Sequence, residues 1–151
     1  MAILSTRESP QVDALATWAA IDHLDRWTEE TLEEWKRKGV IHVFEERLGI
    51  HLPVSVDLLD DYLAQAQRLN VHAAAQEVEV PWLIVHGRED LTVPWEEGEA
   101  LARVSGRARL SFLEGAGHTL EVTHPLQEVT PALDQAIRLS TEHFERHLGG
   151  D

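Results

Sequence analysis

The chain has 151 residues, enough for one domain with its own core, and its 43% hydrophobic and 26% charged residues are those of a globular protein. A formal charge of −14 argues against phosphate backbones and anionic membranes as partners, since both attract clustered Lys and Arg. The lack of cysteine excludes disulfides, thiolate metal sites and a cysteine nucleophile; no apolar run approaches membrane-spanning length and no basic-then-apolar leader opens the chain, so a cytoplasmic setting is expected.

Ala2 to Glu8 reads as the tail of a helix ended by Ser9-Pro10. Val12 to Ile21 reads as a strand with apolar residues on both faces, the pattern of a central parallel strand. Asp22 to Gly39 carries Leu24, Trp27, Leu32 and Trp35 at roughly helical spacing, with Gly39 as its stop. Val40 to Phe44 and Ile50 to Val54 form a small hairpin around Leu48-Gly49, and Asp57 to Leu69 is a second amphipathic helix with Leu58, Leu59, Tyr62, Leu63, Ala66 and Leu69 on its apolar side. His72 to Glu77 adds one more turn, and residues 22–79 as a whole read as an insertion between two strands.

The strand Trp82 to His86, the helix Pro94 to Val104, the strand Arg109 to Leu113 and a final helix Pro131 to Leu148 complete the chain. Thr130 caps that last helix, with Pro131 at its first position and Leu133, Ala136, Ile137, Ser140, Phe144 and Leu148 as its buried stripe. His143 and His147 lie in its final turns, where a cation suits the helix dipole. The alternation of strands and helices predicts an α/β fold with mainly parallel strands and right-handed crossovers, in a single domain over 1–151.

Chemistry concentrates between Pro81 and His118. The apolar run Trp82-Leu83-Ile84-Val85 stops at His86-Gly87 and delivers Asp90 into a polar loop, and the next strand stops at Glu114-Gly115-Ala116-Gly117 and delivers His118. Ligand sites of open α/β sheets lie beyond the carboxyl ends of the strands. A carboxylate that orients an imidazole there makes two-thirds of a hydrolytic relay, although an Asp and a His in two loops are also common as solvated residues. Gly115 and Gly117 are expected to turn the backbone sharply and bring His118 to its partner. His86, His118, Glu121 and His124 show no established metal-ligand spacing, so no metal or other cofactor is expected. Trp18 and Trp27 are the two of the five tryptophans with positions suited to lining a pocket.

His86-Gly87-Arg88-Glu89-Asp90-Leu91-Thr92-Val93-Pro94 resembles the acid loop of α/β-hydrolases, and Glu114-Gly115-Ala116-Gly117-His118 resembles their histidine loop. The order strand, acid, helix, strand, histidine, helix is also theirs. The resemblance covers the whole chain, most specifically Val80 to Pro125, and leans towards the esterase, dienelactone-hydrolase and serine-aminopeptidase-like members. It implies a partial α/β-hydrolase fold of three mainly parallel strands with flanking helices, Asp90 as triad acid, His118 as triad base and residues 22–79 as a helical lid.

The sequence departs from that family in having no G-x-S-x-G elbow, the turn that presents the nucleophile. By the resemblance, Ala2 to Glu8 is the end of the helix that follows the elbow, so the chain is expected to start just after the serine and to lack part of the oxyanion hole. Ser5 and Ser9 lie in or after that helix remnant, away from the strand-end face, and are poor substitutes. Two functions remain open: the acid-and-base half of a serine hydrolase for a small-molecule ester or amide, completed by a nucleophile from elsewhere, or a non-catalytic binding or assembly module. An unpaired apolar edge at the first strand predicts a homo-oligomer in either case.

Overall fold

The structure is a computed structural model and describes residues 2–9, 11–45 and 48–149. Two compact units emerge, one of residues 1–23 and 71–151, the other Leu24–Asn70. Pro10, expected to end the first helix, lies outside the described residues.

The larger unit holds α1 (Ala2–Glu8), β1 (Leu15–Trp18), α4 (Val71–Gln76), β4 (Trp82–Gly87), α5 (Trp95–Val104), β5 (Ala108–Leu113) and α6 (Pro131–Leu148). Its sheet has the order β1-β4-β5 and is parallel throughout, with Leu15 opposite Trp82 and Trp82 opposite Ala108 at the start of the ladders. All six residues of β4 are buried, as expected of a strand covered on both faces. Alternation along it divides the core. Leu83 and Val85 pack with Leu113, Ala116, Leu120 and Ala136 beneath α6, while His86 projects from the opposite face. Each Leu or Val so buried contributes about 1.5–3 kcal/mol.

Two expectations for this unit need correction. The first strand spans four residues, not Val12 to Ile21; it lies at one edge of the described sheet. Val12 turns back to the Ser9 carbonyl, and Ala19 leaves the strand at φ 46° with its N–H still on Val85, so apolar residues extend past both ends of the ladder. On α6, Ala136 is fully buried, but Ile137 and Leu148 are exposed; Leu139, outside the expected stripe, packs on the core. Ser140 earns its place differently, donating to the Ala136 carbonyl and accepting from Trp18 Nε1 at 2.9 Å.

The smaller unit holds α2 (Glu29–Lys38), β2 (Val40–Glu45), β3 (Ile50–Ser55) and α3 (Val56–Ala64). Its first helix begins seven residues later than expected, because Thr28 accepts the Thr31 N–H and sets the cap. Gly39, in the left-handed region, ends it as expected. Strands β2 and β3 pair antiparallel, Val40 opposite Ser55. Ser55 caps α3, which stops at Ala64, short of Leu69, and leaves Leu58 and Leu63 exposed. The turn at His72 to Glu77 is α4, which belongs to the larger unit.

Candidate active site

Loops at the carboxyl ends of β4 and β5 bring Asp90 and His118 together, with His118 Nδ1 at 2.9 Å from Asp90 Oδ2. The two loops are joined backbone to backbone: Arg88 donates to the Leu113 carbonyl and Glu89 to that of Ala116. Gly87 makes this approach possible, since a Cβ there would lie 2.3 Å from the Ala116 oxygen. The histidine loop turns at Gly115 with φ 72°, whereas Gly117 serves through its N–H, which Glu121 Oε1 accepts at 2.7 Å. Leu120 and Glu121 are both left-handed, at φ 54° and 59°. Such residues cost of order 1–3 kcal/mol each. The Glu121 bond, the burial of Leu120 and the bond from Thr130 Oγ1 to the Leu120 carbonyl offset that cost and fix the loop beyond His118.

The two partners differ in exposure. The Asp90 side chain is 0% exposed and that of His118 39%. Asp90 Oδ1 accepts the N–H groups of Thr92 and Val93 at 2.9 and 2.8 Å, which leaves Oδ2 for the imidazole. Burial pushes this carboxyl up, but the Val93 N–H, the His118 imidazole and the Thr92 N–H together outweigh it and hold it below the usual carboxylate value. A carboxylate so held accepts only, so His118 carries its hydrogen on Nδ1 and presents a bare Nε2. That nitrogen can take a proton from a hydroxyl and return it to a leaving group.

The other residues singled out from the sequence lie elsewhere. Trp18 bonds to Ser140 of α6. Trp27 packs edge-on against Trp35 and Tyr62 in the smaller unit and there lines a cavity of about 690 Å³ with Thr31, Glu34 and Val43. Ser5 is in α1 and Ser9 just after it. His86 is fully buried and engaged with the Val93 carbonyl, and Glu121 is engaged with Gly117, so they do not gather with His118 and His124 around one point. Asp22, His23 and Glu97 do converge, their ligand atoms within 4.8 Å of one another, but the Glu97 carboxylate accepts the Asp22 N–H and the Asp22 carboxylate meets His23. This ties the chain after β1 to α5. A cavity of about 320 Å³ at the far end of the sheet is lined by Arg107, Arg109, Arg146, His143 and His147 and includes neither Asp90 nor His118.

Two features beside Asp90 carry little signal in the sequence. The close approach at Gly87 shows there only as one residue of a motif. His86 sits directly behind Asp90; its signal in the sequence is a histidine inside an otherwise apolar, fully buried strand.

This sheet, with an acid and a histidine in successive strand-end loops, is the C-terminal portion of the α/β-hydrolase fold. Solved structures bear this out: Est1E from Butyrivibrio proteoclasticus, seen with ferulic acid bound, matches 98% of this chain at TM-score 0.67 and 17% identity, over 55% of its own chain. The esterase domain of a Rhodothermus marinus protein matches 97% at TM-score 0.61 and 17% identity, over 56% of that chain. Among curated proteins, a putative carbamate hydrolase RutD from Pseudomonas savastanoi pv. phaseolicola is 34% identical over 84 residues, which are 56% of this chain and 32% of that protein. The RutD of Pseudomonas syringae pv. syringae is 33% identical over 76 residues. This chain spans about a third of the length of those relatives and just over half that of the solved structures. No protein-family model matches it. Among the described residues no helix is long and apolar enough to cross a membrane.

Proposed function

We propose that this chain supplies the acid and base of a serine-type hydrolase for a small-molecule ester, amide or carbamate, with His118 as base, Asp90 as the carboxylate that orients it, and a nucleophilic serine from outside these 151 residues. The observation that carries the reading is the 2.9 Å bond between a buried Asp90 and a partly exposed His118 whose other nitrogen is unengaged among the described residues. In such a relay the imidazole removes the serine proton as the hydroxyl attacks the carbonyl, then protonates the departing group, while the carboxylate stabilises the imidazolium formed in between. The names of the relatives, a carbamate hydrolase and esterases, fit an acyl-transfer substrate of this class. The insertion between two strands, residues 22–79, is the lid segment of that hydrolase in this reading.

The test uses the chain alone. A fluorophosphonate probe is expected to leave it unlabelled, while p-nitrophenyl acetate is cleaved slowly by the imidazole, a rate that His118→Gln lowers severalfold and Asp90→Asn lowers in step. Equal rates in all three proteins would remove the dyad from the reading, and a label on Ser5 or Ser9 would place the nucleophile inside this sequence.

A further inference from the structure

We propose that His86 is a positioning residue for the Asp90–His118 pair: its imidazole, hydrogen on Nε2 and none on Nδ1, holds the Asp90 turn from behind. This deepens the dyad reading and rests on it. His86 is 0% exposed, in a strand whose preceding residues are Trp82, Leu83, Ile84 and Val85. Its Nε2 lies 2.9 Å from the Val93 carbonyl oxygen and 3.5 Å from Asp90 Oδ2. Both neighbours are acceptors, so Nε2 must carry the hydrogen. The buried Nδ1 has no hydrogen-bond partner among the described residues, and a hydrogen there would be a second donor without an acceptor.

The bonding makes a closed clamp. Val93 donates its N–H to Asp90 Oδ1 and gives its carbonyl to His86, so one residue is held from both sides and the carboxylate is aimed by the turn that results. His86 Nε2 also faces Oδ2, the oxygen that His118 uses, from behind. Room for the ring comes from α5, where a Cβ on Gly98 would lie 2.7 Å from His86 Nδ1. Glycine within a helix is less favourable than alanine, and a polar ring with one bare nitrogen is a costly occupant of an apolar core. Two unfavourable choices thus meet at the back of one carboxylate. A cap for Val93 alone would need neither the facing Oδ2 nor the ring's exact fit.

The experiment is nitrogen-15 NMR of the histidine rings in the whole chain, reading the low-field Nδ1 proton of His118 and its exchange with water. Wild type is expected to show that proton protected, with His86 as the Nε2–H tautomer. His86→Gln, long enough to donate to Val93, should retain the protection; His86→Leu and the shorter His86→Asn should speed exchange roughly tenfold, the loss of about one buried hydrogen bond. Backbone amide protection in β4 and β5 reports that each variant is folded, and if His86→Leu does not fold, the Gln and Asn pair decides. Folded variants that all keep the His118 proton as in wild type overturn the role of His86 alone. A wild-type chain without that proton overturns the dyad reading and this proposal with it.

Discussion

Replacing Asp90 with Asn keeps the side chain's shape and removes its charge, and the bonds around it define the outcome. The amide oxygen can take the place of Oδ1 and go on accepting from Thr92 and Val93. The amide nitrogen then faces His118 Nδ1 where Oδ2 stood at 2.9 Å, donor against donor, and the imidazole has to move its hydrogen to Nε2. A hydrogen bond to a charged partner contributes about 1.5–3 kcal/mol and a neutral one about 0.5–1.5 kcal/mol. With three charged bonds made neutral and the burial cost of the charge removed at the same time, the expected loss at neutral pH is about 2–3 kcal/mol, or a fall in Tm of roughly 5–10 °C for a chain of this size. Urea unfolding of both proteins across a pH series measures it. Burial raises the Asp90 pKa, but the Val93, His118 and Thr92 contacts lower it further, so the folded value lies below the unfolded one. The contribution of the charge is therefore complete above the unfolded value of about 3.9 and is lost as pH falls through the folded value. The gap between the proteins should be steady near neutrality and close in acid. A gap that does not change with pH, or none at neutrality, would refute the assignment of this stability to the Asp90 charge.

Three further outcomes are expected. Gly87→Ala should cost more than the usual 1–3 kcal/mol of overpacking, because the added Cβ meets backbone, the Ala116 carbonyl at 2.3 Å, which cannot rotate away; thermal unfolding and the exchange of the Glu89 amide proton would show the two loops parting. Burial holds the His143 pKa below its ordinary value, helped by the charges of His147 and Arg109 and opposed by the carbonyls of Pro81 and Leu15. Its folded value lies below the unfolded one of about 6.5, so the unfolded chain takes up the proton first and stability falls as pH drops from the unfolded to the folded value. His143→Gln should flatten that part of the Tm–pH curve, and an unchanged slope would refute the assignment. Finally, the outer edge of β1 has no partner strand among the described residues, and light scattering at micromolar concentration should find a dimer or larger species; a monodisperse monomer would show that the edge is not used.

The elements that the sequence marks well are those whose signals are local. Thr130 followed by Pro131 places the start of α6, and Gly39 the end of α2, because caps depend on a few adjacent residues. The unbroken apolar run of β4 marks a strand buried on both faces, since it is too short for a helix and is bounded by Pro81 and Gly87. The glycines and polar residues after β4 and β5 identify the loops that carry Asp90 and His118 by resemblance to a known motif. The length of β1 is not legible in the sequence, because apolar residues continue past the ladder at both ends and only pairing with β4 limits the strand. The α6 stripe departs from helical periodicity at Ile137 and Leu139 for a related reason: the neighbouring sheet, not periodicity alone, selects which flank of a helix is covered.

What the sequence determined by itself is thus the alternation of elements, the α/β class and the two loops with their ionisable residues, all properties of short stretches of chain. Tertiary structure decided the rest. Only the parallel register of β4 with β5 brings residues 28 positions apart to 2.9 Å. Only packing between β4 and α5 places His86 behind Asp90 with Gly98 making room. Hydrogen bonds and close contacts of this kind depend on distances of a few tenths of an ångström between segments far apart in sequence, and no local pattern encodes them.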